Sequence, residues 1–343
     1  MLRNEYPDNH LHWVNACNKF SDKVEYRIIN IISSDWLDKI SGFNPELCLL
    51  KPSAKTSLYR NLYQERIDII VHELGLNVYP SFNELRIYEN KRFFSYWAKA
   101  NNVPHPETWV FYDKKEVIEF LDKAQLPLVG KTNIGASGDG IKIFTSRIEC
   151  LHYIQKAFGR GLSCKTGPKL SRGNVLNRIL EKIKRPAQLS GRLKKYKDIA
   201  SDKQKGFVIL QEYIRHEYEW RAVRIGDSFF AHKKLLHRGK ASGSLKKGYE
   251  NPPLELLDFI RDFTDQHNFY SVAIDLFESG IGDYLINEVQ CIFGQSDSFQ
   301  MLVNGEKGRY TYIEGMWRFE QGDFNLNGSY DLRLQHAISL LDR

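Results

Sequence analysis

Two carboxylates late in the chain have the spacing of a metal site. Asp275 lies in the apolar segment 271–277 and Glu288 in 284–290, and residues 278–283 between them have the composition of a tight turn. A hairpin pairs residues that are equally far from its turn, so Asp275 is predicted beside Glu288, with Gln290 facing the same way. Adjacent acids within apolar strands require a cation, and such oxygen ligands suit Mg²⁺ on nucleotide phosphates. The alternative is a pair of solvated acids on the open face of a hairpin.

A glycine-rich turn follows a lysine at the end of a predicted strand. Lys131 ends the apolar segment 126–131, and Ser137, Gly138 and Gly140 lie in the turn before the next strand. Glycines allow backbone N–H groups to approach phosphate oxygens, and the lysine adds a positive charge. Because a strand and not a helix follows, the turn does not match a P-loop or a dinucleotide-binding fingerprint. An ordinary hairpin turn remains the alternative.

Two further segments carry polar residues at positions where a nucleotide could bind. Segment 207–214 reads as a strand that leads through an irregular crossing into the strand 219–225. Such a crossing can offer backbone groups to adenine, and a later carboxylate can accept from ribose hydroxyls; an edge strand with a charged loop is the alternative. Lys91 begins an aromatic helix, and taken alone it reads as a solvated surface lysine.

The elements around these motifs predict an α/β (α+β) protein with three domains. The strands and helices are expected at 24–32, 47–50, 57–74, 90–101, 108–111, 114–124, 126–131, 140–144, 173–183, 207–214, 219–225, 228–236, 254–267, 271–277, 284–290 and 331–343. They group into a small N-terminal α/β domain (1–88), a central subdomain (89–206) and a C-terminal subdomain built on an antiparallel sheet (207–343).

Composition excludes several classes of protein. The chain has 343 residues, of which 42% are hydrophobic and 13% aromatic, which is too apolar for a disordered chain. No segment has the ~20 apolar residues of a membrane helix, and the N-terminus lacks an apolar signal core. The five scattered cysteines read as reduced thiols, so we expect a cytoplasmic protein.

The net charge of +7 is concentrated in one segment. Residues 160–205 contain fourteen Lys and Arg against three acids, and this basic insert is predicted to lie on a mildly acidic body. Its charge could attract an anionic acceptor; the alternative is a solvated insertion with no specific partner. The insert has few aromatic residues for stacking on bases, so nucleic-acid binding is not expected.

Taken together and in this order, the motifs resemble the ATP-grasp superfamily, which includes D-alanine–D-alanine ligase and glutathione synthetase. The resemblance covers roughly residues 1–300 and implies an ATP-grasp architecture, in which the central subdomain (89–206) is the lid subdomain. For the phosphates, it implies that Lys91 and Lys131 match the two phosphate-contacting lysines. Ser137, Gly138 and Gly140 match the loop that closes over the β- and γ-phosphates.

For the nucleoside, the resemblance implies that Glu212 and Ile214 provide the backbone contacts to adenine. Glu219 matches the acid that binds ribose. Lys233 and Lys234 lie in a strand that often supplies another cation, and the resemblance does not choose between them.

For the metal, the resemblance implies Asp275 and Glu288 as Mg²⁺ ligands, with Mn²⁺ as a substitute. The third ligand position usually holds Asn, and here it holds Gln290, whose arm is longer by one carbon. Ala273 stands where some members carry a catalytic arginine. Arg221 and Arg238 are therefore the candidates for stabilising the transition state.

The resemblance implies an ADP-forming carboxylate–amine ligase that uses ATP and Mg²⁺, with Lys131 assigned to catalysis as well as to nucleotide binding. The expected partners are a small-molecule amine and a carboxylate acceptor, which could be anionic, such as an acidic sugar polymer or an acidic peptide. A phosphotransferase and a non-catalytic nucleotide-binding protein are the alternatives. Insertion into a membrane is not expected, and exposed edges in the small domain are compatible with a homodimer.

Overall fold

The chain divides into two compact units. The structure is a computed structural model that describes residues 1–6, 8–53, 56–135, 140–163, 198–237, 240–241, 246–280, 282–294 and 297–341. The first unit comprises Met1–Ala54, Leu58–Pro106 and Ile214–Arg343, and the second comprises Lys55–Ser57 and Glu107–Tyr213. The three predicted domains, 1–88, 89–206 and 207–343, stay a prediction, because compactness alone does not decide where a domain begins.

Helices and short strands are distributed along both units. The strands are β1 (Leu2–Arg3), β2 (Ile29–Asn30), β3 (Leu47–Leu49), β4 (Asn77–Tyr79), β5 (Thr108–Phe111), β6 (Leu128–Lys131), β7 (Ile141–Phe144), β8 (Leu162–Ser163), β9 (Lys203–Gln204), β10 (Val208–Glu212), β11 (Tyr218–Ile225), β12 (Ser228–His237), β13 (Lys240–Ala241), β14 (Lys247–Gly248), β15 (Ser271–Gly280), β16 (Asp283–Gln290), β17 (Leu302–Val303), β18 (Glu306–Ile313) and β19 (Met316–Gln321). The α-helices are α1 (Leu11–Lys19), α2 (Trp36–Phe43), α3 (Ser57–Asp68), α4 (Phe82–Ile87), α5 (Lys91–Ala100), α6 (Lys114–Lys123), α7 (Arg147–Phe158), α8 (Leu254–His267) and α9 (Tyr330–Ser339).

The N-terminal part of the first unit contains short parallel strand pairs. β1 pairs with β2 and β3 with β4, and apolar side chains such as Ile40, Ile67 and Ile70 form the core beside them. The predicted strand 24–32 is wrong except for β2: the partner strand β1 is two residues long, and Ile28 is 47% exposed. The predicted helix 57–74 is confirmed as α3, which continues into a π-helical turn, Ile69–Glu73.

A large antiparallel sheet forms the rest of the first unit. Its strand order is β16-β15-β11-β12-β18-β17, with β13 and β14 beside β12 and β19 beside β18. Helices α5 and α8 cover one face through Phe94, Leu257 and Ile260, which pack against Trp220 and Ile274. Period-2 alternation therefore turns the neighbouring residues of β11 and β15 to the other face.

The second unit contains a smaller antiparallel sheet of order β5-β10-β6-β7. Val117 of α6 and Ile154 of α7 pack with Phe144 and Leu210 in its core. The predicted helices at 173–183 lie outside the described residues, as does most of the basic insert. No α-helix in the described ranges is long and apolar enough to span a bilayer.

Candidate active site

The hairpin β15–β16 brings the two predicted metal acids together. Asp275 is paired directly with Glu288, and Ala273 is paired with Gln290, so Gln290 shares a face with Asp275 as predicted. A bulge follows Asp275 in the ladder, and Asn287 is the extra residue of β16. Asn287 donates from Nδ2 to Oε1 of Glu219 at 3.4 Å, so the bulge directs its side chain to this face.

Asp275 is buried, with 3% of its surface exposed, and two cations neutralise it. Arg221, its register partner in β11, donates from Nε to Oδ1 at 2.8 Å and from the guanidinium Nη2 to Oδ2 at 2.9 Å. Lys234 of β12 donates to Oδ2 at 2.8 Å. The bidentate pair is possible because Arg221 and Asp275 lie opposite each other on the same face of neighbouring strands.

The charges around Asp275 determine its ionisation. Burial alone would raise the pKa of Asp275, but Arg221 and then Lys234 outweigh burial and hold the pKa of that carboxyl well below its usual range. Burial opposes the charge of Lys234 in turn, and the carboxylates of Asp275 and Glu219 raise its pKa above the ordinary lysine value. Asp275, Lys234 and Arg221, whose pKa is raised chiefly by Asp275 against the effect of burial, are therefore charged near neutral pH.

Glu219 and Lys91 extend the charged cluster on both sides. Lys234 donates to Oε2 of Glu219, which is its register partner across β11 and β12. At the start of α5, Nζ of Lys91 lies 3.3 Å from Oε1 of Glu288 and 3.9 Å from Oε2 of Glu89. The predicted Lys91, Glu219, Lys234, Asp275 and Glu288 thus lie on one face of one sheet and at its edge.

Lys233 does not belong to this cluster. Successive strand residues face opposite ways, so Lys233 lies on the other side of the sheet from Lys234. There it pairs with Glu250 at 2.5 Å and lies 4.1 Å from the ring centroid of Tyr218. The register thus separates Lys233 from the predicted metal acids, and its predicted part in nucleotide binding stays a prediction. Lys234 is the lysine that contacts Asp275.

Several predicted residues lie in the second unit. Lys131 ends β6 and is 6% exposed. Gly140 has φ +78°, and a Cβ there would lie 1.9 Å from Oγ1 of Thr132, so the close approach requires glycine. Glu212 ends β10 and accepts from the backbone N–H of Glu107 at 2.7 Å. The roles predicted for Lys131, Gly140 and Glu212 stay predictions.

The remaining predicted residues are only partly described. Ser137, Gly138 and Arg238 lie outside the described residues. Ile214 belongs to the first unit, and its carbonyl accepts from Nδ1 of His216 at 2.7 Å. A carbonyl oxygen has a second lone pair, so this contact leaves Ile214 able to accept from a ligand.

The oxygen atoms of the hairpin fit a Mg²⁺ ion that ATP would bring. Three hydrogen bonds reach the carboxylate of Asp275, which has about four lone-pair positions, so one position on Oδ1 is left. Glu288 is 24% exposed and contacts Lys91. Among the described residues no three His, Cys, Asp or Glu side chains form a metal cage. Two carboxylates completed by phosphate oxygens and water are the usual arrangement for Mg²⁺.

Sequence reasoning missed His232, which lies opposite Arg221 in the ladder. Its Nδ1 donates to the carbonyl of Gln300 at 2.8 Å, while Nε2 is buried without a partner among the described residues. Burial, and then Arg221 and Lys247, lower the pKa of His232 to about 3, so the ring is neutral. Nothing in the strand pattern distinguishes this histidine from others in the sequence. Its pairing opposite Arg221 is what places it beside the charged cluster.

Comparisons with known proteins extend this description. No protein-family model matches the chain. A curated relative, the alpha-aminoadipate–LysW ligase LysX of Saccharolobus solfataricus, is 22% identical over 275 residues, which cover 78% of this chain and 84% of LysX.

Solved structures share the fold at low sequence identity. A carboxyaminoimidazole ribonucleotide synthase from Aspergillus clavatus in complex with ATP matches with a TM-score of 0.55 and 8% identity, over 98% of this chain and 76% of that chain. The biotin carboxylase domain of the Hydrogenobacter thermophilus 2-oxoglutarate carboxylase, in complex with MgADP, matches with a TM-score of 0.52 and 12% identity, over 85% of this chain and 64% of that chain.

The chain thus spans less than two thirds of the carboxylase-domain chain and most of LysX. The α/β fold class, the antiparallel sheet subdomain and the resemblance stated from the motifs are confirmed by these matches. The protein has the ATP-grasp fold.

Proposed function

We propose that the protein is an ATP-dependent ligase that activates a carboxylate as an acyl phosphate and joins it to an amine, releasing ADP and phosphate. The observation that carries this proposal is the ionised face of the sheet. Asp275 and Glu288 lie side by side on it, with Arg221, Lys234 and Lys91 in contact with them. Five charged groups in a small area favour a substrate that is itself highly charged, as a nucleoside triphosphate is.

The named relatives support this class of reaction. LysX is a ligase by name, and the solved structures of the same fold hold ATP or MgADP. ATP with Mg²⁺ is accordingly the nucleotide and metal that we propose for this chain, with Mn²⁺ as a substitute. Asp275 and Glu288 would hold the metal, and Gln290 or Asn287 could add an amide oxygen.

When bound, Mg²⁺ supplies positive charge that neutralises phosphate oxygens. The residues of the chain do the remaining work. Arg221 and Lys234 keep Asp275 ionised and fix its orientation, because three donors reach one carboxylate. Lys91 is 13% exposed, so its ammonium group can exchange Glu288 for a phosphate oxygen without a change of the backbone.

The proposed reaction needs no nucleophile from the protein. An oxygen of the acceptor carboxylate attacks the γ-phosphorus and ADP leaves; the amine then attacks the acyl carbon and phosphate leaves. Catalysis is therefore positioning and charge stabilisation, which the cluster around Asp275 can provide. Arg221 and Lys234 are the residues that we propose for transition-state stabilisation within the described chain.

A matrix of substrates tests the proposal. ADP release would be measured with Mg²⁺·ATP across amines and acidic carboxylates, with Glu288→Ala as the inactive control. We expect release that requires both an amine and a carboxylate and is lost in Glu288→Ala. A phosphorylated product that forms without any amine would instead identify a phosphotransferase, and binding of ATP without turnover in any well would favour a non-catalytic nucleotide-binding protein.

Three finer statements belong to the same proposal. A cytoplasmic location is supported by Cys17, Cys48, Cys150 and Cys291, which are free and buried. An anionic acceptor is supported by the charge of the basic insert, whose residues 164–197 lie outside the described part of the chain. A homodimer stays a prediction.

A further inference from the structure

In the described part of the first unit, three basic side chains, Arg3, Lys51 and Arg333, lack the acidic partners that its other inward-facing cations have. Arg221, Arg224 and Lys234 each form an ion pair with an acid. In contrast, Arg3, Lys51 and Arg333 form no ion pair with any residue that the structure describes. Arg333 is 1% exposed, although a buried positive charge without a counter-charge is costly.

The three cations lie close together at one edge of the small parallel strands. Asn4, which follows β1, donates from Nδ2 to the carbonyl of Lys51 at 2.6 Å and so links the ends of β1 and β3. Nζ of Lys51 lies 4.7 Å from the ring centroid of Tyr330, and Cζ of Arg333 lies 4.6 Å from the same centroid. Tyr330 is therefore contacted by two of the cations.

His10 belongs to the same cluster. His10 is the N-cap of α1, the helix whose Trp13 packs edge-on against the Tyr330 ring. Burial lowers the pKa of His10, and the charges of Arg3 and Lys51 lower it further. Asp8 acts in the other direction, but it is exposed and forms no ion pair with these cations in the described chain. The cluster thus contains positive charge that the nearby carboxylate does not neutralise.

Buried polar atoms without partners accumulate in this cluster. They are Nε of Arg3, Nδ1 of His10, the hydroxyl of Tyr330 and Nε of Arg333, none of which has a hydrogen-bond partner among the described residues. His10 is 8% exposed and Tyr330 is 2% exposed. Because buried polar groups are nearly always satisfied, several orphans at one place indicate a bound species.

The place of the cluster in the fold is one where ligands commonly bind. It lies where β1 and β3 end, and ligands of open α/β sheets bind outside the carboxyl ends of parallel strands. It also adjoins the strand that carries Glu288. Arg333, which lies over the Tyr330 ring, donates from Nη2 to the carbonyl of Phe293 at 2.9 Å, and Phe293 comes three residues after the end of β16.

We propose that Arg3, His10, Lys51 and Tyr330 form an anion-binding subsite that holds a second acidic group of the ligase's carboxylate substrate. The substrate is then a diacid: one carboxylate reacts beside Glu288, and the other group, a carboxylate or a phosphate, binds the subsite. This inference rests on the proposed function. Arg333 contributes charge from its place against the rings of Tyr330 and Phe293.

Calorimetric binding of small anions tests the subsite directly. Glutarate, inorganic phosphate and butyrate would be titrated into the wild-type full chain, into Lys51→Met and into Lys39→Met. Lys39 of α2 is the matched control because its side chain is 53% exposed and, among the described residues, its ion pair is with the N-cap Asp35. Glutarate against phosphate distinguishes the two kinds of anion, and butyrate lacks the second charge.

We expect glutarate or phosphate to bind the wild type, and butyrate to bind about 10-fold more weakly than glutarate. Loss of one charged hydrogen bond predicts a 10- to 100-fold weaker anion in Lys51→Met, as an order of magnitude, with no change in Lys39→Met. Tyr330→Phe keeps the ring that packs on Trp13 and should weaken the anion about 3-fold or more.

Two results would overturn the subsite: no binding of glutarate or phosphate to the wild type, or equal anion affinity in Lys51→Met and Lys39→Met. The affinity for Mg²⁺·ATP, measured on the same samples, separates the two proposals. If Mg²⁺·ATP binds normally but the anion affinity is the same in Lys51→Met and Lys39→Met, the subsite alone is refuted. An anion effect without any ATP binding refutes the proposed ligase while it leaves an anion site in place.

Discussion

Two adjacent lysines of β12 offer an internally controlled test of the site. Lys234→Met and Lys233→Met make the same chemical change at neighbouring positions on opposite faces of one strand. Methionine keeps most of the apolar stem and removes the charge. Lys234→Met removes a buried cation that contacts two carboxylates. Lys233→Met removes a cation whose partner, the carboxylate of Glu250, is exposed.

The structure predicts different costs for the two changes. Lys234 is 4% exposed and bonded to Asp275 and Glu219, and removing one partner from a buried ion pair typically costs about 3–5 kcal/mol. Lys233 pairs with Glu250, which is 63% exposed, so solvent screening leaves about 0–1 kcal/mol for that pair. Its position over the Tyr218 ring adds roughly 0.5–1 kcal/mol. The difference between the variants should therefore be about 1–4.5 kcal/mol.

Urea unfolding followed by tryptophan fluorescence measures this difference, because Trp220 lies in β11, the strand beside both lysines. We expect Lys234→Met to lower the first unfolding midpoint clearly more than Lys233→Met does. ATP affinity, measured in the same buffer, should fall only in Lys234→Met. Equal midpoints and equal ATP affinities in the two variants would refute the assignment of Lys234 to the charged face.

Three further predictions follow from the same contacts. Because the pKa of Asp275 is depressed in the folded state, its contribution to stability is present above the unfolded value of about 3.9 and is lost as pH falls through the folded value. Asp275→Asn should therefore flatten the fall of the melting temperature between about pH 5 and pH 2, and an unchanged slope would contradict this. Arg221→Lys should lower kcat for ADP release about 10-fold or more, because lysine cannot make the bidentate bond; full activity would exclude the role given to the guanidinium. Gly140→Ala should lower the melting temperature more than Gly75→Ala, since both have positive φ but only Gly140 has an atom in the way, at 1.9 Å; equal losses would refute the close approach.

The acidic hairpin could be predicted from the sequence because its information is local. The turn at 278–283 sets which residues oppose each other, and alternation sets which face they share, so the pairing of Asp275 with Glu288 is confirmed. The bulge at Asn287 could not be predicted, because one extra residue in a strand leaves the apolar pattern of β16 nearly unchanged. Asn287 therefore entered the site only through the structure.

Other features depend on distant contacts that the local pattern does not contain. Lys233 and Lys234 are equivalent in the sequence, and only pairing with Glu219 distinguishes them. The apolar run at 24–32 is typical of a strand, but β1 offers it only two residues to pair with. The strands β18 and β19 were not predicted, since their alternation mixes aromatic and charged residues on a partly exposed hairpin.

The anion subsite illustrates the same limit at larger range. Arg3, Lys51 and Arg333 are separated by tens to hundreds of residues, and each alone reads as an ordinary basic side chain. Their significance comes from lying together without an ion-pair partner among the described residues, which is a property of the folded first unit. The basic insert, in contrast, was conspicuous in the sequence, and its predicted role in attracting an acceptor stays a prediction.

The measurement that tests the central claim most directly is calorimetric ATP binding with and without Mg²⁺, on the wild type and on Glu288→Ala. It requires no knowledge of the carboxylate or the amine. If Asp275 and Glu288 hold a Mg²⁺ ion that binds together with ATP, Mg²⁺ should tighten ATP binding by about 10-fold or more in the wild type, and the variant should lose most of that gain. A wild type that does not bind ATP, or a Mg²⁺ effect of the same size in Glu288→Ala, would contradict the account.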